Sequence, residues 1–393
     1  MRALRNAQIV LFLLAFAWAL IQLPLRLAAP GFGQPFELTT VASNLAANGQ
    51  FRDPFGIPTG PTAHVAPVYT AIFAVAIKIL REPVNVILAM MVLNAFFYGC
   101  AAALLPVLSR CVYGRIAPGA AGGVLLAASG WMMPQWEAAL SSLLLLVATL
   151  AILRRKTVQA GLWSGICLLT NPASLLALAP IVLSSSREGR PIKAWRFVIP
   201  VAGLALIICA PWVVRNAIAL GTPFFIRDNL GLELYISNQD RSSPEFVTNW
   251  PLFHLHPNQN PEEAKLVAAM GEGRYNQMRL RDAFHWIRSH RGKFLQLSAA
   301  RVLYYWFPSR VEGWPAYLYW VMSGFGAWGV WVSRKNHLAL SLALAAVIYS
   351  ATFTVISTHL RYRFPTLWIS ALFAGCAMIE IVGRIRNTAH SAK

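Results

Sequence analysis

Long apolar segments recur along most of the chain, and they constrain its fold more than any other feature. A helix of about 17–25 apolar residues can cross a bilayer, because it satisfies its own backbone hydrogen bonds where no water is present. The chain is 57% hydrophobic and 12% charged, whereas soluble domains are about 25% charged. The sequence therefore predicts an all-α, multi-pass membrane protein with about ten spanning helices. The expected spans are 8–28, 84–109, 117–133, 138–153, 158–170, 172–185, 197–216, 315–333, 337–357 and 365–383.

Two further amphipathic segments, 67–81 and 294–307, decide the topology. If both cross the membrane, the basic cluster at 154–156 falls on the far side. If both lie at the interface, the basic clusters meet on one face, which the rule that Lys and Arg stay in the cytoplasm favours. We therefore expect a cell (inner) membrane protein with both termini in the cytoplasm. The clusters are Arg2/Arg5, Arg110/Arg115, 154–156, Arg187/Arg190/Lys193/Arg196, Arg334/Lys335 and Arg384/Arg386.

The formal net charge of +19 follows largely from the same rule. The basic residues are spread among short loops and form no single stripe, which argues against a nucleic-acid partner. The N-terminus resembles a signal peptide, but its apolar stretch is long for one, so we expect an uncleaved first helix. A single domain over 1–393 is predicted, with an outer loop at 29–83 and an extracytoplasmic polar loop at 217–296.

The outer loop after the first span holds more specific content than a connector needs. Glu37 lies at the expected membrane boundary, where a carboxylate could act as a general base toward an acceptor hydroxyl. Residues 37–48 have the apolar spacing of an amphipathic helix, and Gly49 is a typical residue just past its end. His64 and Tyr69 follow as candidate substrate contacts. The alternatives are a solvated loop carboxylate or one that favours the helix N-terminus, and a structural histidine.

A compact basic group at the expected outer end of the last span runs against the orientation trend. Arg361 and Arg363 stand two residues apart, with His359 and Tyr362 beside them. Guanidinium groups pair with phosphate oxygens bidentately, so this group is a candidate phosphate site. Arginine that extends from a helix end to the interface is the alternative explanation.

Other polar residues fall on the same predicted face. Arg215 closes one span, and Arg227 and Asp228 begin the string Arg-Asp-Asn-x-Gly-x-Glu that ends at Glu233. The arginines are further candidates for phosphate, and the carboxylates could hold sugar hydroxyls; a locally hydrogen-bonded loop is the alternative. Glu137, after another span, could support the first-loop carboxylate, bind sugar or join it on a metal.

The ordered set of motifs resembles the GT-C superfamily of membrane glycosyltransferases that use polyprenyl-phosphate sugars. Protein O-mannosyltransferases and the lipid A aminoarabinose transferase are its better-known relatives, and predicted bacterial members are the most similar. The resemblance covers most of the chain. It rests on Glu37, on Leu-Ala-x-x-Gly-x-Phe at 45–51, on Gly-Pro-Thr-Ala-x-x-x-Pro-Val-Tyr at 60–69, on Pro-Trp-x-x-Arg-Asn at 211–216, on the string at 227–234, and on Arg-Tyr-Arg-x-Pro at 361–365.

The resemblance implies an inverting transfer of a hexosyl or pentosyl group from a polyprenyl-phosphate donor to a hydroxyl of a glycan, lipid or protein acceptor. The reaction would occur at the extracytoplasmic membrane face, with 29–83 as the catalytic loop. Glu37 would be the catalytic base. Arg361 and Arg363, with Arg227 and Arg215, would stabilise the departing phosphate.

The sequence assigns no metal ligands, and it leaves open whether a divalent cation is a cofactor. Several relatives carry an Asp-Glu pair where this chain has Phe36-Glu37, and His254 and His256 lack a further evident ligand set. The competing function is a transporter or flippase of lipid-linked sugars. Paired repeats and broken helices are typical of that class, and neither a clear repeat nor midplane polar residues are evident in this sequence.

Overall fold

The structure is a computed structural model that describes residues 2–28, 36–130, 136–185, 191–221 and 225–391. Within these ranges the chain is helical and forms no β-strand. Short 3-10 helices occur at Trp250–Leu255, Arg310–Glu312, Thr352–Thr354 and Phe364–Thr366. The α-helices are α1 (Arg2–Ile21), α2 (Leu23–Leu27), α3 (Glu37–Asn48), α4 (Pro67–Leu80), α5 (Pro83–Tyr113), α6 (Ala117–Ala128), α7 (Ala138–Leu153), α8 (Thr157–Thr170), α9 (Ser174–Ser185), α10 (Pro191–Leu220), α11 (Leu230–Ser237), α12 (Phe246–Asn249), α13 (Pro261–Met270), α14 (Glu272–Ser289), α15 (Arg291–Trp306), α16 (Pro315–Val332), α17 (His337–Ala351), α18 (Leu360–Arg363) and α19 (Leu367–Ser391).

Each of the expected membrane spans coincides with a helix. Five described segments are long and apolar enough to cross a membrane by length and composition, which supports a membrane protein; the number ten stays a prediction. The five are Arg2–Leu27, Pro83–Tyr113, Trp195–Leu220, His337–Thr354 and Leu360–Thr388. Two helices end earlier than expected, because α6 stops at Ala128 and α17 gives way to a 3-10 turn at Thr352.

Helix α19 lies at the centre of the helical core, packed between α6 and α16. The packing is close because Gly122 on α6 and Gly329 on α16 face its backbone, and a methyl group at either position would collide with the carbonyl of Ala371 or Phe373. Small residues at such crossings let helix backbones approach each other. Trp368 is fully buried beside them. This core fixes the position of the chain segment that precedes α19.

The two helices of the first loop form as expected and pack against each other. The amide of Phe36 donates to the hydroxyl of Thr39, which starts α3. Gly49 ends α3 in the left-handed conformation, with φ of 67°, where a side chain would be strained. The buried side of α3 carries Leu38 and Val41. The loop residues 29–35 lie outside the described part of the chain.

The polar loop predicted at 217–296 contains α11 to α14 and the start of α15. Helix α11 packs on α14, and together they form a small hydrophobic cluster that receives Phe55 from the first loop. Leu232, Ile236 and Val267 are buried in this cluster. The first loop and the long polar loop are therefore joined through a common core.

Candidate active site

Glu37, His64 and His256 come together where the first loop meets the long polar loop. Glu37 is the first residue of α3, and His256 Nε2 lies 3.6 Å from its Oε1. The candidate ligand atoms of the three side chains lie within 4.8 Å of one another. Phe55 stands edge-on to both imidazole rings, with centroids 5.0 and 5.8 Å away. All three polar side chains are buried. They form a cluster that is already assembled and is covered by the ring of Phe55.

Hydrogen bonds from the polar loop hold the turn that carries His64. The hydroxyl of Thr62 and the amide of Ala63 both donate to the Glu272 carboxylate, the latter over 2.6 Å. The amide of Asp228 donates to the carbonyl of Ala63 over 2.9 Å. The position of the imidazole therefore depends on contacts from a distant part of the sequence.

Burial perturbs the titration of this region. The pKa of His64 is well below its usual value because the imidazole is desolvated and lies near His256 and Arg227. It is therefore neutral at physiological pH and available as a ligand or acceptor. Desolvation raises the pKa of Glu272 to about 8 and that of Asp228 to about 7. Both carboxyls keep a proton over part of the neutral range.

Arg227 links the histidine turn to Glu137. Its Nε donates to the carbonyl of His64 over 3.0 Å, and its Nη1 lies 4.0 Å from Oε1 of Glu137. A small cleft opens beside this pair and contains Tyr69, whose hydroxyl accepts from the amide of Asn94 over 2.8 Å. The cleft is lined by Leu38, Val65, Ala66, Tyr69, Trp136, Glu137, Thr170 and Arg227. Its lining therefore includes Leu38, the neighbour of Glu37 in the chain, and the cation Arg227.

Arg361 reaches the same face from the other end of the sequence. Its guanidinium lies 4.0 Å from the ring centroid of Trp136 and 5.1 Å from that of Phe246. It donates to the hydroxyl of Tyr362 over 3.1 Å. The ring of Phe36 lies 6.0 Å from that of Trp136, which places the arginine and the start of α3 around one indole.

His359 and Glu312 support the segment that carries Arg361. Nδ1 of His359 accepts from the amide of Arg361 over 3.2 Å, and its Nε2 lies 3.9 Å from the Glu312 carboxylate. Burial lowers the pKa of His359 well below its usual value, mainly through desolvation. Desolvation and the nearby Glu245 raise the pKa of Glu312 to about 7. Glu233 acts electrostatically on Arg361 and accepts from the side chain of Asn229 over 3.4 Å.

Two of the arginines expected at a phosphate have other contacts. Arg363 is buried and donates to the carbonyl of Trp306 over 2.9 Å and to the hydroxyls of Ser323 and Ser370 over 2.8 and 3.0 Å. Arg215 donates to the carbonyls of Phe51 and Thr62, both over 2.6 Å. Both side chains therefore hold parts of the protein together.

Asp228 also has a structural environment. It is buried and accepts from the side-chain amide of Asn276. That same Asn276 accepts from the amide of Leu232 over 2.9 Å, so it joins α14 to the start of α11. Asp228 is thus aimed into the loop core, away from the cleft.

The sequence did not predict Glu272 or Glu312 at the site, and it gave only weak support for His256 as a metal ligand. A usable signal was available, because the chain has only 15 acidic residues, so each buried carboxylate in an outer loop needs a specific partner. The spacing of residues along the chain could not supply those partners. Each lies on a different helix or loop.

Searches with family models and among curated proteins returned no match. Solved structures of the oligosaccharyltransferase AglB from Archaeoglobus fulgidus do match. The complex with an inhibitory peptide and a dolichol-phosphate is 12% identical, with a TM-score of 0.58 over 99% of this chain and 52% of that chain. The apo form is 14% identical, with a TM-score of 0.60 over 98% and 52%. The complex with Zn and sulfate is 15% identical, with a TM-score of 0.55 over 95% and 49%.

The likeness shows that this chain shares the fold of these oligosaccharyltransferase structures. The chain spans about half the length of the archaeal protein. At this level of identity the similarity is one of architecture.

Proposed function

We propose that the protein is a membrane glycosyltransferase that moves a hexosyl or pentosyl group from a polyprenyl-phosphate donor to an acceptor hydroxyl. One observation carries the proposal: the buried carboxylate Glu37 directly precedes Leu38, which lines a small cleft together with Arg227, and Arg361 stacks on Trp136 of the same cleft. A general base and a cationic site for a leaving phosphate are the two requirements of such a transfer. The archaeal structure that shares this fold was solved with a dolichol-phosphate, which agrees with a lipid-phosphate donor.

Glu37 takes the proton of the acceptor hydroxyl in this mechanism. The hydroxyl oxygen then attacks the anomeric carbon in line, the bond to the lipid phosphate breaks, and the configuration inverts. His256 lies 3.6 Å from the carboxylate, and the capped start of α3 fixes its backbone. A base that is already oriented avoids an entropic cost at the moment of transfer.

Arg227 and Arg361 bind the donor phosphate. They are two of the four arginines that the sequence indicated for this role. Both lie at the face of Trp136 and Glu137. Charge develops on the leaving phosphate in the transition state, so fixed guanidinium groups stabilise it more than they stabilise the bound donor. Tyr362 orients Arg361 through its hydroxyl, and His359 caps the short helix that carries both residues.

The cleft is too small to enclose a sugar, so the sugar would bind at its opening, next to the lining residues Tyr69 and Glu137. Glu233 acts electrostatically on Arg361 of the same site. We assign Arg215, Asp228 and Arg363 to structural support, because their side chains already bind other parts of the protein.

Glu37, His64 and His256 also fit a divalent cation. One carboxylate oxygen and two imidazole nitrogens form a common ligand set for zinc and similar ions. A bound ion would supply Lewis-acid activation of a hydroxyl close to the cleft. His64 is neutral and therefore able to ligate, and Phe55 shields the site from water.

The distribution of charge argues for an enzyme over a transporter of lipid-linked sugars. Within the described residues, the helices α5 to α9 carry charges only at their ends. A translocation path would require polar groups through the membrane midplane. We accordingly propose a single domain over 1–393 in an inner membrane, with both termini in the cytoplasm and the site on the outer face. The 67–80 and 291–306 helices would frame the lipid entrance.

A donor screen tests the function. Purified protein in nanodiscs is incubated with a panel of polyprenyl-phosphate sugars and hydroxyl acceptors, and products are analysed by mass spectrometry. Glu37→Gln should lower the transfer rate by about 10²- to 10⁴-fold, as loss of a general base does. The control is Glu82→Gln, which changes an exposed loop carboxylate. Wild-type activity in Glu37→Gln, or transbilayer movement of donor without transfer, would overturn the proposal.

A further inference from the structure

A second recess lies at the face opposite the candidate active site. It opens where α5 ends and where α16 passes into α17, and it is a wide, open recess with a volume of about 510 Å³. Helices α5 and α16 both begin on the side of the outer loops and end here. Its walls include Tyr113, Arg115, Ser333 and Lys335, and Cys376 of α19 lies at the same recess. None of these residues belongs to the site described above.

The loops on either side of the recess are joined by hydrogen bonds. The side-chain amide of Asn336 donates to the carbonyl of Val112 over 2.7 Å, and the hydroxyl of Ser333 donates to that of Tyr113 over 3.2 Å. Asn336 also caps α17. Residues from distant parts of the sequence are therefore held together at one concave surface. A general excess of basic residues on this face would not require such an arrangement.

The recess has an uncompensated positive charge. Arg115 and Lys335 line it, and no carboxylate among the described residues does. Neither cation forms an ion pair within the described part of the chain. The only carboxylate of α19, Glu380, pairs with Arg384 over 3.1 Å. Arg115 and Lys335 are both exposed, so their charged groups are accessible to an anion that enters the recess.

The same face carries exposed aromatic residues. Trp328 and Trp331 on α16 are 45% and 61% exposed. Tryptophan on a membrane helix concentrates at the level of the lipid headgroups, so the recess lies where phosphate groups of the bilayer are found. Basic pockets between membrane helices commonly bind anionic headgroups.

We propose that this recess binds a phosphate group, with Arg115 and Lys335 as its cationic ligands and the hydroxyls of Tyr113 and Ser333 as further contacts. The phosphate belongs either to an anionic lipid headgroup or to a soluble phosphate compound. The proposal does not depend on the activity proposed above.

Binding to the purified full-length protein in detergent tests this site. Dioctanoyl phosphatidylglycerol is titrated in one arm and inorganic pyrophosphate in the other, with dioctanoylglycerol, which lacks phosphate, as a blank. We expect saturable binding in at least one arm, and the arm that responds identifies the source. The double variant Arg115→Gln/Lys335→Gln should raise Kd at least tenfold.

Two further variants separate charge from folding. Arg334→Gln removes an adjacent exposed cation that lies over Trp331 and does not line the recess, and it should bind as wild type does. Arg115→Lys/Lys335→Arg keeps both charges and should keep saturable binding even if the neutral double variant is unstable. Equal Kd values for wild type and the neutral double variant, equal losses with Arg334→Gln, or no binding by wild type in either arm would overturn the proposal.

Discussion

The Glu37 carboxylate and the His256 imidazole lie 3.6 Å apart across two separate outer loops. The first loop supplies the acid and the long polar loop supplies the imidazole. His64 completes the group from the end of the first loop. The proposed base, Glu37, is thus also one of the three proposed metal ligands. Substitution of one histidine therefore tests the metal site and shows whether the base depends on it.

His256→Ala should abolish stoichiometric binding of a divalent cation, because the remaining two ligands hold an ion far more weakly than three. Metal content is measured by mass spectrometry after dialysis against Zn²⁺ or Mn²⁺. The control is His285→Ala, which alters an exposed histidine of α14. Equal metal content in wild type and His256→Ala would remove the cation from this site.

Arg361→Gln should weaken use of the lipid donor while leaving acceptor saturation nearly unchanged. Loss of a charged hydrogen bond costs about 1.5–3 kcal/mol, which corresponds to a fall in kcat/KM for the donor of roughly 10- to 100-fold, with kcat lowered as well. Steady-state kinetics with each substrate varied in turn measures this. Arg310→Gln, an exposed outer arginine, is the matched control. A selective rise in acceptor KM would move the phosphate site elsewhere.

Arg363→Ala should destabilise the protein with little change in donor KM of the folded fraction. The substitution removes three hydrogen bonds and leaves the hydroxyls of Ser323 and Ser370 without the Arg363 donor, while the Trp306 carbonyl still accepts from Ser323. Each unsatisfied buried group costs about 1–3 kcal/mol, so Tm should fall clearly. Arg384→Ala, at an exposed pair on α19, should change Tm little. A normal Tm with a large rise in donor KM would return Arg363 to the phosphate site.

The stability of the outer loops should fall as pH rises. Burial raises the pKa of Glu272 to about 8 from an ordinary value of 4.5. Between these values the folded protein keeps a proton that the unfolded chain has lost, so raising the pH favours unfolding by up to about 1.36 kcal/mol per pH unit. The effect is complete above about pH 8.

Thermal unfolding between pH 5.5 and pH 8.5 measures this dependence. Tm of wild type should decrease across the range, and Glu272→Gln should flatten the profile because its side chain does not titrate. Glu262→Gln, at an exposed surface pair, should keep the wild-type slope. An identical slope in Glu272→Gln would assign the dependence to other groups, beginning with Asp228, whose pKa burial raises to about 7.

Much of the helical framework was predictable because membrane helices leave a strong local signal. Apolar length and turn residues are contained in contiguous sequence, so the helices at 37–48 and 67–80 and the stop at Gly49 were predicted closely. The helical class of the fold was also predictable from these apolar segments. The partners of individual arginines were not predictable from the sequence. Arg361 and Arg363 look equivalent in sequence, but one stacks on Trp136 and the other is buried against α16.

The sequence by itself determined a helical membrane protein with its polar residues gathered in a few loops, because apolar helices are the only way for such segments to satisfy their backbone in lipid. Only the tertiary structure decided which polar residues meet. It joined Glu37 to His256, tied the His64 turn to Glu272 and withdrew Arg363 into the core. These contacts depend on how the outer loops pack on each other around Phe55, and such long-range packing leaves no periodic trace along the chain.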